Sequence, residues 1–525
     1  MQRKIKTALM KKKNILQFLL SGILPLWICS CTKLDTKVYD QVSNFWQTPD
    51  QIAAGVAPAY TELRNYVPTF WGRPNVYDLN ETSSDEIIVP NRGTDWADDV
   101  VWEEMWKHQW GPDHQFVKDG WQFIYGGIAR VNLILQTLNE LNPKPPDITL
   151  IEVELKTIRA FYYYLAIDLY GNVPIHGVGV IDQAKLGTKT RNEVFAYTEK
   201  ELKDNLATLS TDVNSKTYGR ATKWFAEALL AKLYLNAQVY TGVPRWTDCI
   251  AACDAILNSN QYVLEPNFFN NFLIKNEGSK ENIFVIPFDR NAGLDFFLIQ
   301  GFSLHYDSYK TFGLESGGFN GFCSTAEYYE LFDPNDVRRK MFLVGQQYEN
   351  QIPDAAHMQY DTDGNPINFD PVITTFKIQP PKSRNAGARC AKWEFNKEGW
   401  GNMSNDFAVF RLADIILMKA EAQFRNGDIS GALTTINQKI NGVSIRSRAG
   451  LPDFAASEMN PDGLLKERAC ELSWEGWRRN DMIRLGHFTD ARTPEKNVSA
   501  EYRKLYPVPQ PELNKNPYLK QNPGY

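Results

Sequence analysis

Cysteine and histidine are both scarce in this chain, with 7 and 6 copies among 525 residues. Five of the cysteines are scattered between Cys249 and Cys470, and such spacing in a long chain excludes a disulfide framework. Cys249 and Cys253 lie four residues apart and are predicted to share a helix face, but no histidine is near enough to complete a metal site. We therefore expect both to be small buried hydrophobic residues, and we expect no metal or other cofactor.

Long apolar runs are also missing, apart from one near the amino terminus. The 14 residues 15–28 are mostly apolar, which is short of the roughly 20 residues that a membrane-spanning helix needs. A basic stretch precedes this run and Ser30-Cys31 follows it, a pattern that predicts a lipoprotein signal over residues 1–30 with lipid on Cys31. Cys29 is the poorer acceptor because bulky Ile28 would occupy the cleavage site. An ordinary secretory signal is the alternative.

Excess positive charge is absent as well. The signal contains six cations and no acid, so its removal changes the formal net charge from −5 to −11 for the remaining 495 residues. Nucleic acid and anionic lipid surfaces both require a basic face. The charge therefore disfavours both classes of partner.

Aromatic residues are abundant, at 13% of the chain. Trp102, Trp106 and Trp110 recur at helical spacing, which predicts core positions. Trp96 is out of that register and close to Gly93, so we expect its ring to be exposed. Exposed rings of this kind can serve as flat platforms for sugar rings.

Helical periodicity is clear in several segments, and most of them end at a Gly, Asn or Pro. The predicted helices are 151–170, 193–209, 220–240, 246–257, 412–425, 429–440 and 463–484. Two pairs of them, on either side of short Gly-containing turns, are typical of tetratricopeptide-like hairpins. Residues 260–400 are instead rich in Gly, Asn, Pro and aromatics, with short strand-like runs.

These patterns predict a mainly α protein with a tetratricopeptide-like scaffold and a loop-rich, aromatic binding subdomain that contains short strands. After the signal, the predicted divisions are 31–258, 259–400 and 401–525. Residues 259–525 are alternatively one unit.

Six short motifs, in order along the chain, resemble those of the SusD/RagB family, surface lipoproteins of Bacteroidetes. They are 31–35 (CTKLD) with 44–46 (NFW), 159–163 (RAFYY) with 169–174 (LYGNVP), 219–222 (GRAT), 411–421 (RLADIILMKAE), 467–472 (ERACEL) with 475–481 (EGWRRND), and 505–509 (LYPVP) with 521–525 (QNPGY). Each motif is weak alone, but the ordered set covers nearly all of the mature chain.

The resemblance implies a lipid-anchored protein of the outer membrane that faces the cell exterior. Such a protein captures an oligosaccharide and passes it to a partner TonB-dependent, SusC-like transporter, without bond-breaking chemistry. Some members of the family bind peptides, so a peptide ligand stays open. A lipid-anchored glycosidase and a pure interaction scaffold are the remaining alternatives.

The best ligand-binding candidates lie on the Gly-containing segment 80–96, which mixes carboxylates, amides, a guanidinium and an indole. Sugar recognition needs a ring for stacking and polar groups for neighbouring hydroxyls. A second candidate face is the aromatic loop 296–322, for which a buried hydrophobic cluster is an equally good interpretation. The predicted ligand-binding residues are Asn80, Asp85, Arg92, Asp95, Trp96, Trp71, Phe297 and Tyr306.

Catalysis would require two carboxylates that face a sugar. The acidic residues between 467 and 481 are interleaved with arginines at helical spacing, which lowers carboxylate pKa and predicts structural ion pairs. We expect the same of Arg159 and Glu421. Residues 361–365 (DTDGN) weakly resemble a calcium loop, but Gly364 stands at the fourth position, which favours a hairpin turn.

Overall fold

The computed structural model describes residues 45–68, 75–179, 186–293, 298–380, 382–397 and 403–525. The chain divides into residues 1–52 and residues 53–525, and the features below lie in the second part, apart from the start of the first helix. No helix among the described residues has the length and apolar character needed to cross a bilayer.

Helices dominate this part of the chain. They are α1 (Pro49–Thr61), α2 (Tyr77–Glu81), α3 (Val101–Lys107), α4 (Gln115–Glu140), α5 (Ile148–Leu169), α6 (Arg191–Asn205), α7 (Lys223–Leu235), α8 (Ala237–Thr241), α9 (Trp246–Leu257), α10 (Ile299–Ser303), α11 (Ala326–Tyr329), α12 (Lys382–Asn385), α13 (Leu412–Arg425), α14 (Ile429–Ile436), α15 (Ile445–Arg448), α16 (Pro461–Leu472), α17 (Arg478–Leu485) and α18 (Gln510–Lys515). Short 3-10 helices include Phe268–Phe272, Ser308–Thr311, Val337–Met341 and Glu349–Gln351.

The strands are short and pair in twos. They are β1 (Asn91–Arg92), β2 (Asn282–Ile286), β3 (Phe342–Leu343), β4 (Gly345–Gln346), β5 (Asn368–Phe369), β6 (Lys377–Ile378), β7 (Arg389–Cys390) and β8 (Phe407–Arg411). β1 pairs with β6 in parallel, while β2 with β8, β3 with β7 and β4 with β5 are antiparallel. All ten residues of β2 and β8 are buried, so this ribbon is part of the core.

Local sequence explains where several helices begin. Thr190 and Glu193 form a reciprocal capping box at the start of α6. The Asp428 carboxylate accepts a hydrogen bond of 2.8 Å from the Gly431 N–H and starts α14. Asn460 caps α16, where Pro461 occupies the first turn without losing a needed N–H.

The long helices pack against one another in a series of pairs. α4 packs on α5 and α5 on α6, while α7 packs on α9, α9 on α13 and α13 on α14. Small residues at the contacts, Ala420, Ala422 and Ala432, are fully buried and allow close approach. This arrangement confirms the predicted mainly α, tetratricopeptide-like scaffold with short strands in the loop-rich part.

The structure corrects one predicted helix in particular. Residues 463–484 form two helices, α16 and α17, and the chain turns between them where Trp474 has φ +63° and Gly476 has φ +86°. The second predicted helix of the C-terminal pair ends at Ile436, four residues earlier than expected. Predicted helices 246–257 and 412–425 are confirmed at both ends.

Candidate functional site

A buried network of charges, called here the ionic layer, joins Glu281 and Arg338 of the loop-rich region to residues of the C-terminal part of the chain. The Glu471 carboxylate lies 2.6 Å from both Arg411 and Arg448 and 3.0 Å from Arg338. Arg411 and Arg448 also contact Glu281, at 2.8 and 2.5 Å. The ionic layer consists of Glu281, Arg338, Arg411, Arg448, Glu471 and Glu475.

This geometry keeps the Glu471 carboxyl ionised. Burial alone would raise the pKa of Glu471, but Arg448, Arg411 and Arg338 hold it well below its usual range. Burial would also raise the pKa of Glu421, but Arg484 and Arg425 lower it to about 2. A general acid must keep its proton near neutral pH, so neither carboxyl has that property.

The predicted structural ion pairs are therefore confirmed. Arg468 bridges Asp414 and Asp481 at 2.9 and 2.8 Å, which joins α13, α16 and α17. Arg159 on α5 pairs with Glu201 on α6. These contacts fasten helices to one another.

Three of the predicted ligand-binding residues, Trp96, Arg92 and Asn80, are buried. The prediction that Trp96 is exposed is wrong, because only 6% of the residue is accessible. Its indole N–H donates to the Phe319 carbonyl at 2.7 Å, and its ring packs against Trp102, Phe302 and Phe322. A ring so enclosed offers no face for stacking on a sugar.

Arg92 is also buried, with its guanidinium turned inward. It donates to the backbone carbonyls of Ser383, Ala386 (3.0 Å) and Gly321 (3.2 Å). Arg389 lies nearby and donates to the Gly387 and Arg384 carbonyls. Residues 383–389, which supply most of these carbonyls, are called here the turn. Burial and the neighbouring charge of Arg92 lower the pKa of Arg389 to about 9.

Asn80 and Asp85 occupy supporting positions as well. Asn80 lies on α2 and is 3% exposed. Both oxygens of the partly exposed Asp85 carboxylate accept hydrogen bonds from Arg478, at 2.6 and 2.8 Å. This bidentate pair ties segment 80–96 to the start of α17.

Asp95 and Tyr306 meet at the surface and are called here the acid–phenol pair. The Tyr306 hydroxyl donates to the Asp95 carboxylate at 2.7 Å. Asp95 is exposed and Tyr306 is half-buried. Burial and the bond to Asp95 raise the pKa of Tyr306, which therefore keeps its proton. Trp96, which follows Asp95 in the chain, belongs to a buried group of rings with Trp102, Phe302 and Phe322, called here the aromatic layer.

Three predicted positions lie outside the described residues, namely Trp71, Phe297 and Cys31. The structure brings together Asp95 and Tyr306, which are 211 residues apart and which the sequence analysis placed on two separate candidate faces. Their ligand-binding role stays a prediction. The core prediction for Trp102, Trp106 and Trp110 is confirmed, as is that for Cys249 and Cys253. Residues 361–365 form the expected turn, closed by Asp361 N–H to Asn365 carbonyl at 2.8 Å.

A cavity of about 350 Å³, called here the aromatic cavity, opens in the loop-rich region. Four of its twelve lining residues are aromatic, and the rings of Phe312 and Phe395 are stacked with centroids 3.9 Å apart. Its lining residues are Phe269, Leu273, Thr311, Phe312, Asn350, Gln351, Ala391, Lys392, Trp393, Glu394, Phe395 and Lys397.

Sequence reasoning missed this cavity altogether. The Phe268-Phe269 pair and the Trp393-Glu394-Phe395 run were available signals, but these aromatics lie more than 120 residues apart. Only the fold shows that Phe272 and Trp393 contact one another, with ring centroids 5.9 Å apart.

Family models match both ends of the chain. The model described as the SusD family matches residues 379–525, and the model described as starch-binding associating with outer membrane matches residues 61–235. Together they include the motifs at 159–174 and 467–481. The chain belongs to the SusD/RagB family.

Relatives of this SusD/RagB protein resemble it along most of its length. The starch-binding protein SusD of Bacteroides thetaiotaomicron is 25% identical over 497 residues, which is 86% of this chain and 85% of that protein. The SusD-like protein P25 of Formosa agariphila is 24% identical and is covered completely, over 98% of this chain.

Solved structures share the fold. A surface glycan-binding protein A from Bacteroides thetaiotaomicron, in complex with laminarihexaose, superposes with a TM-score of 0.68 at 21% identity and covers 91% of this chain and 100% of its own. A SusD superfamily protein from Parabacteroides distasonis gives a TM-score of 0.71 at 22% identity, over 91% of this chain and 100% of its own.

Proposed function

We propose that this SusD/RagB protein is a lipid-anchored lipoprotein on the outer face of the outer membrane. It captures an oligosaccharide without cleaving it and passes it to a partner TonB-dependent transporter. The relatives named for starch binding and for surface glycan binding support the ligand class. The lipoprotein signal predicted over residues 1–30, directly before Cys31, supports the anchor.

The observation that carries the proposal is the acid–phenol pair. A carboxylate accepts hydrogen bonds from sugar hydroxyls, and a phenol can both donate and accept. Tyr306 is held in place by its bond to Asp95, so little side-chain freedom is lost when a ligand binds. The arginine-bound state of the acids in the ionic layer supports binding without hydrolysis.

The test is affinity electrophoresis of the mature protein through gels that contain a panel of neutral and acidic polysaccharides. We expect at least one glycan to retard the wild type, and Asp95→Ala to weaken binding by about tenfold, which corresponds to about 1.4 kcal/mol. Tyr360→Phe is the control, since Tyr360 is also a surface phenol, with 51% of its area exposed.

Retardation by no glycan would overturn the carbohydrate proposal and leave the peptide-binding alternative. Full glycan affinity in Asp95→Ala would show that the glycan binds without the acid–phenol pair. The anchor has its own test, because mass spectrometry of the mature amino terminus should find acyl chains on Cys31. An unmodified Cys31 would contradict the anchor alone.

A further inference from the structure

The aromatic cavity shares no lining residue with the acid–phenol pair. The two features are connected by the short helix Ser308–Thr311, which follows Tyr306 and leads directly to Phe312 in the cavity wall. Gln359 supports this helix, since its amide donates to the Thr311 hydroxyl at 2.6 Å. The cavity is therefore a separate feature on the same loop-rich region.

The cavity has the surface character that a sugar ring requires. Leu273 is 38% exposed at its edge, and Phe269 and Phe312 are half-buried. Apolar and aromatic lining with a few convergent polar groups is the usual composition of a small-molecule site. A volume of about 350 Å³ lies near the lower end of the roughly 300–1,000 Å³ typical of such sites, which fits a short saccharide.

Two amides on the lining carry the hydrogen-bonding capacity. Asn350 and Gln351 both have left-handed backbone conformations, with φ of +50° and +60°. Such a conformation is uncommon for residues other than glycine, and it places two consecutive amide side chains beside the aromatic walls. An amide donates and accepts, as a sugar hydroxyl does, so the pairing does not require charge.

The buried charge on the cavity lining already has a partner. The Lys392 ammonium is buried and bonded to Glu475 at 2.5 Å, so mainly its alkyl stem is available to the cavity. Glu394 accepts a hydrogen bond from the Ile274 N–H at 2.9 Å, and Lys397 supplies an opposite charge close by in sequence. An acidic sugar would have no unopposed cation cluster to neutralise it.

We infer that the aromatic cavity is a second carbohydrate subsite, which takes an uncharged pyranose ring. The ring packs on the edges of Phe312 and Phe395, and its hydroxyls bond to Asn350 and Gln351. This inference rests on the proposed function only for the class of ligand. It adds a place, separate from the acid–phenol pair, at which a neutral sugar unit is held.

The test is saturation-transfer NMR on the full mature protein with single sugars at millimolar concentration. The probes are glucose, galactose, mannose, xylose and N-acetylglucosamine, with galacturonate and phenylalaninamide as the acidic and peptide-like comparisons. Leu273→Trp adds a large ring at the exposed edge and should weaken binding of the neutral sugar by about tenfold, or about 1.4 kcal/mol. Val372→Trp is the control, because Val372 is 56% exposed in the same region and does not line the cavity.

Gln351→Gly is the second variant. Glycine accepts the left-handed backbone, so this change removes the amide with little backbone cost and should also weaken the signal. Thermal unfolding identifies any variant that fails to fold. The inference is overturned if no neutral sugar gives a signal that depends on Leu273, or if galacturonate or phenylalaninamide alone does. Asp95→Ala separates the two proposals, since it should leave the cavity signal unchanged.

Discussion

Buried arginines have different partners in the ionic layer and in the turn below the acid–phenol pair. In the ionic layer, Arg411 contacts three carboxylates, those of Glu281, Glu471 and Glu475. In the turn, Arg92 and Arg389 donate mainly to backbone carbonyls, and neither has a carboxylate partner among the residues that the structure describes.

The difference follows from what each region has to hold. The ionic layer joins the end of strand β8 (Arg411) and a 3-10 helix (Arg338) to the helix residue Glu471, and most backbone groups in such elements are already paired, so side chains make most of the bridges. The turn includes the four-residue helix α12, whose carbonyls have no partner within so short a helix and need donors from elsewhere. Arginine thus fastens secondary-structure elements to one another in the ionic layer and supplies donors to backbone carbonyls in the turn.

The strongest way to break the ionic layer is Glu471→Gln. The change leaves three buried guanidiniums short of one negative charge, and loss of one partner in a buried pair costs about 3–5 kcal/mol. Urea unfolding should therefore show a large fall in the free energy of unfolding. Glu512→Gln is the matched control, because its pair with Lys515 is on the surface and should contribute less than about 1 kcal/mol. Equal losses in the two variants would contradict the importance of the ionic layer.

Buried acids without an arginine should respond to pH in the opposite direction. Burial raises the pKa of Asp78 to about 7, despite a hydrogen bond of 3.0 Å from Asn75, against about 3.9 in an unfolded chain. The folded state then binds more protons than the unfolded state between these values, so stability falls as pH rises toward 7.

Asp78→Asn should remove this loss. At about 1.4 kcal/mol for each pKa unit, the free energy of unfolding at pH 8 relative to pH 5 should improve by up to about 3 kcal/mol. Urea unfolding at both pH values measures it. Glu421→Gln is the contrasting variant, since the pKa of Glu421 is about 2 and its contribution is lost only in acid. An Asp78→Asn profile parallel to that of the wild type would show that Asp78 does not titrate in this range.

Replacing one arginine by methionine in each region compares what the two kinds of arginine contribute to the free energy of unfolding. Arg92→Met leaves neutral carbonyls without donors, at a cost of about 1–3 kcal/mol for an unsatisfied buried group. Arg411→Met leaves buried carboxylates instead, and should cost more. Chemical denaturation of the two variants side by side gives the order. A larger loss in Arg92→Met would mean that the turn, and not the ionic layer, limits stability.

The scaffold was readable from the sequence because its information is local. Helices 246–257 and 412–425 follow from periodicity and from turn residues next to them, and both are confirmed. The turn at Trp474 could not be predicted, because Gly476 was its one local signal. The left-handed backbone of Trp474 and Gly476 is fixed only by the folded protein around it. The divisions at 258 and 400 stay a prediction, although Glu281 and Arg338 bind C-terminal residues and favour one unit over 259–525.

The candidate site could be predicted only in part, because its contacts join residues that are far apart in the sequence. Asp95 and Tyr306 were both named as ligand residues, yet their hydrogen bond depends on the fold. Trp96 was expected at the surface because it is out of register with its neighbours. What buries it are Phe302 and Phe322, more than 200 residues later in the chain.

Trp96 also offers the smallest and most discriminating change. Trp96→Phe keeps a ring among Trp102, Phe302 and Phe322 but removes the indole N–H that donates to Phe319. The lost hydrogen bond should lower the free energy of unfolding by about 1 kcal/mol, while glycan affinity stays within about twofold, a difference of about 0.4 kcal/mol. Affinity electrophoresis and urea unfolding of the same preparation measure both quantities. If affinity fell and stability did not, the indole would contact the ligand, and the aromatic layer beneath the acid–phenol pair would open on binding.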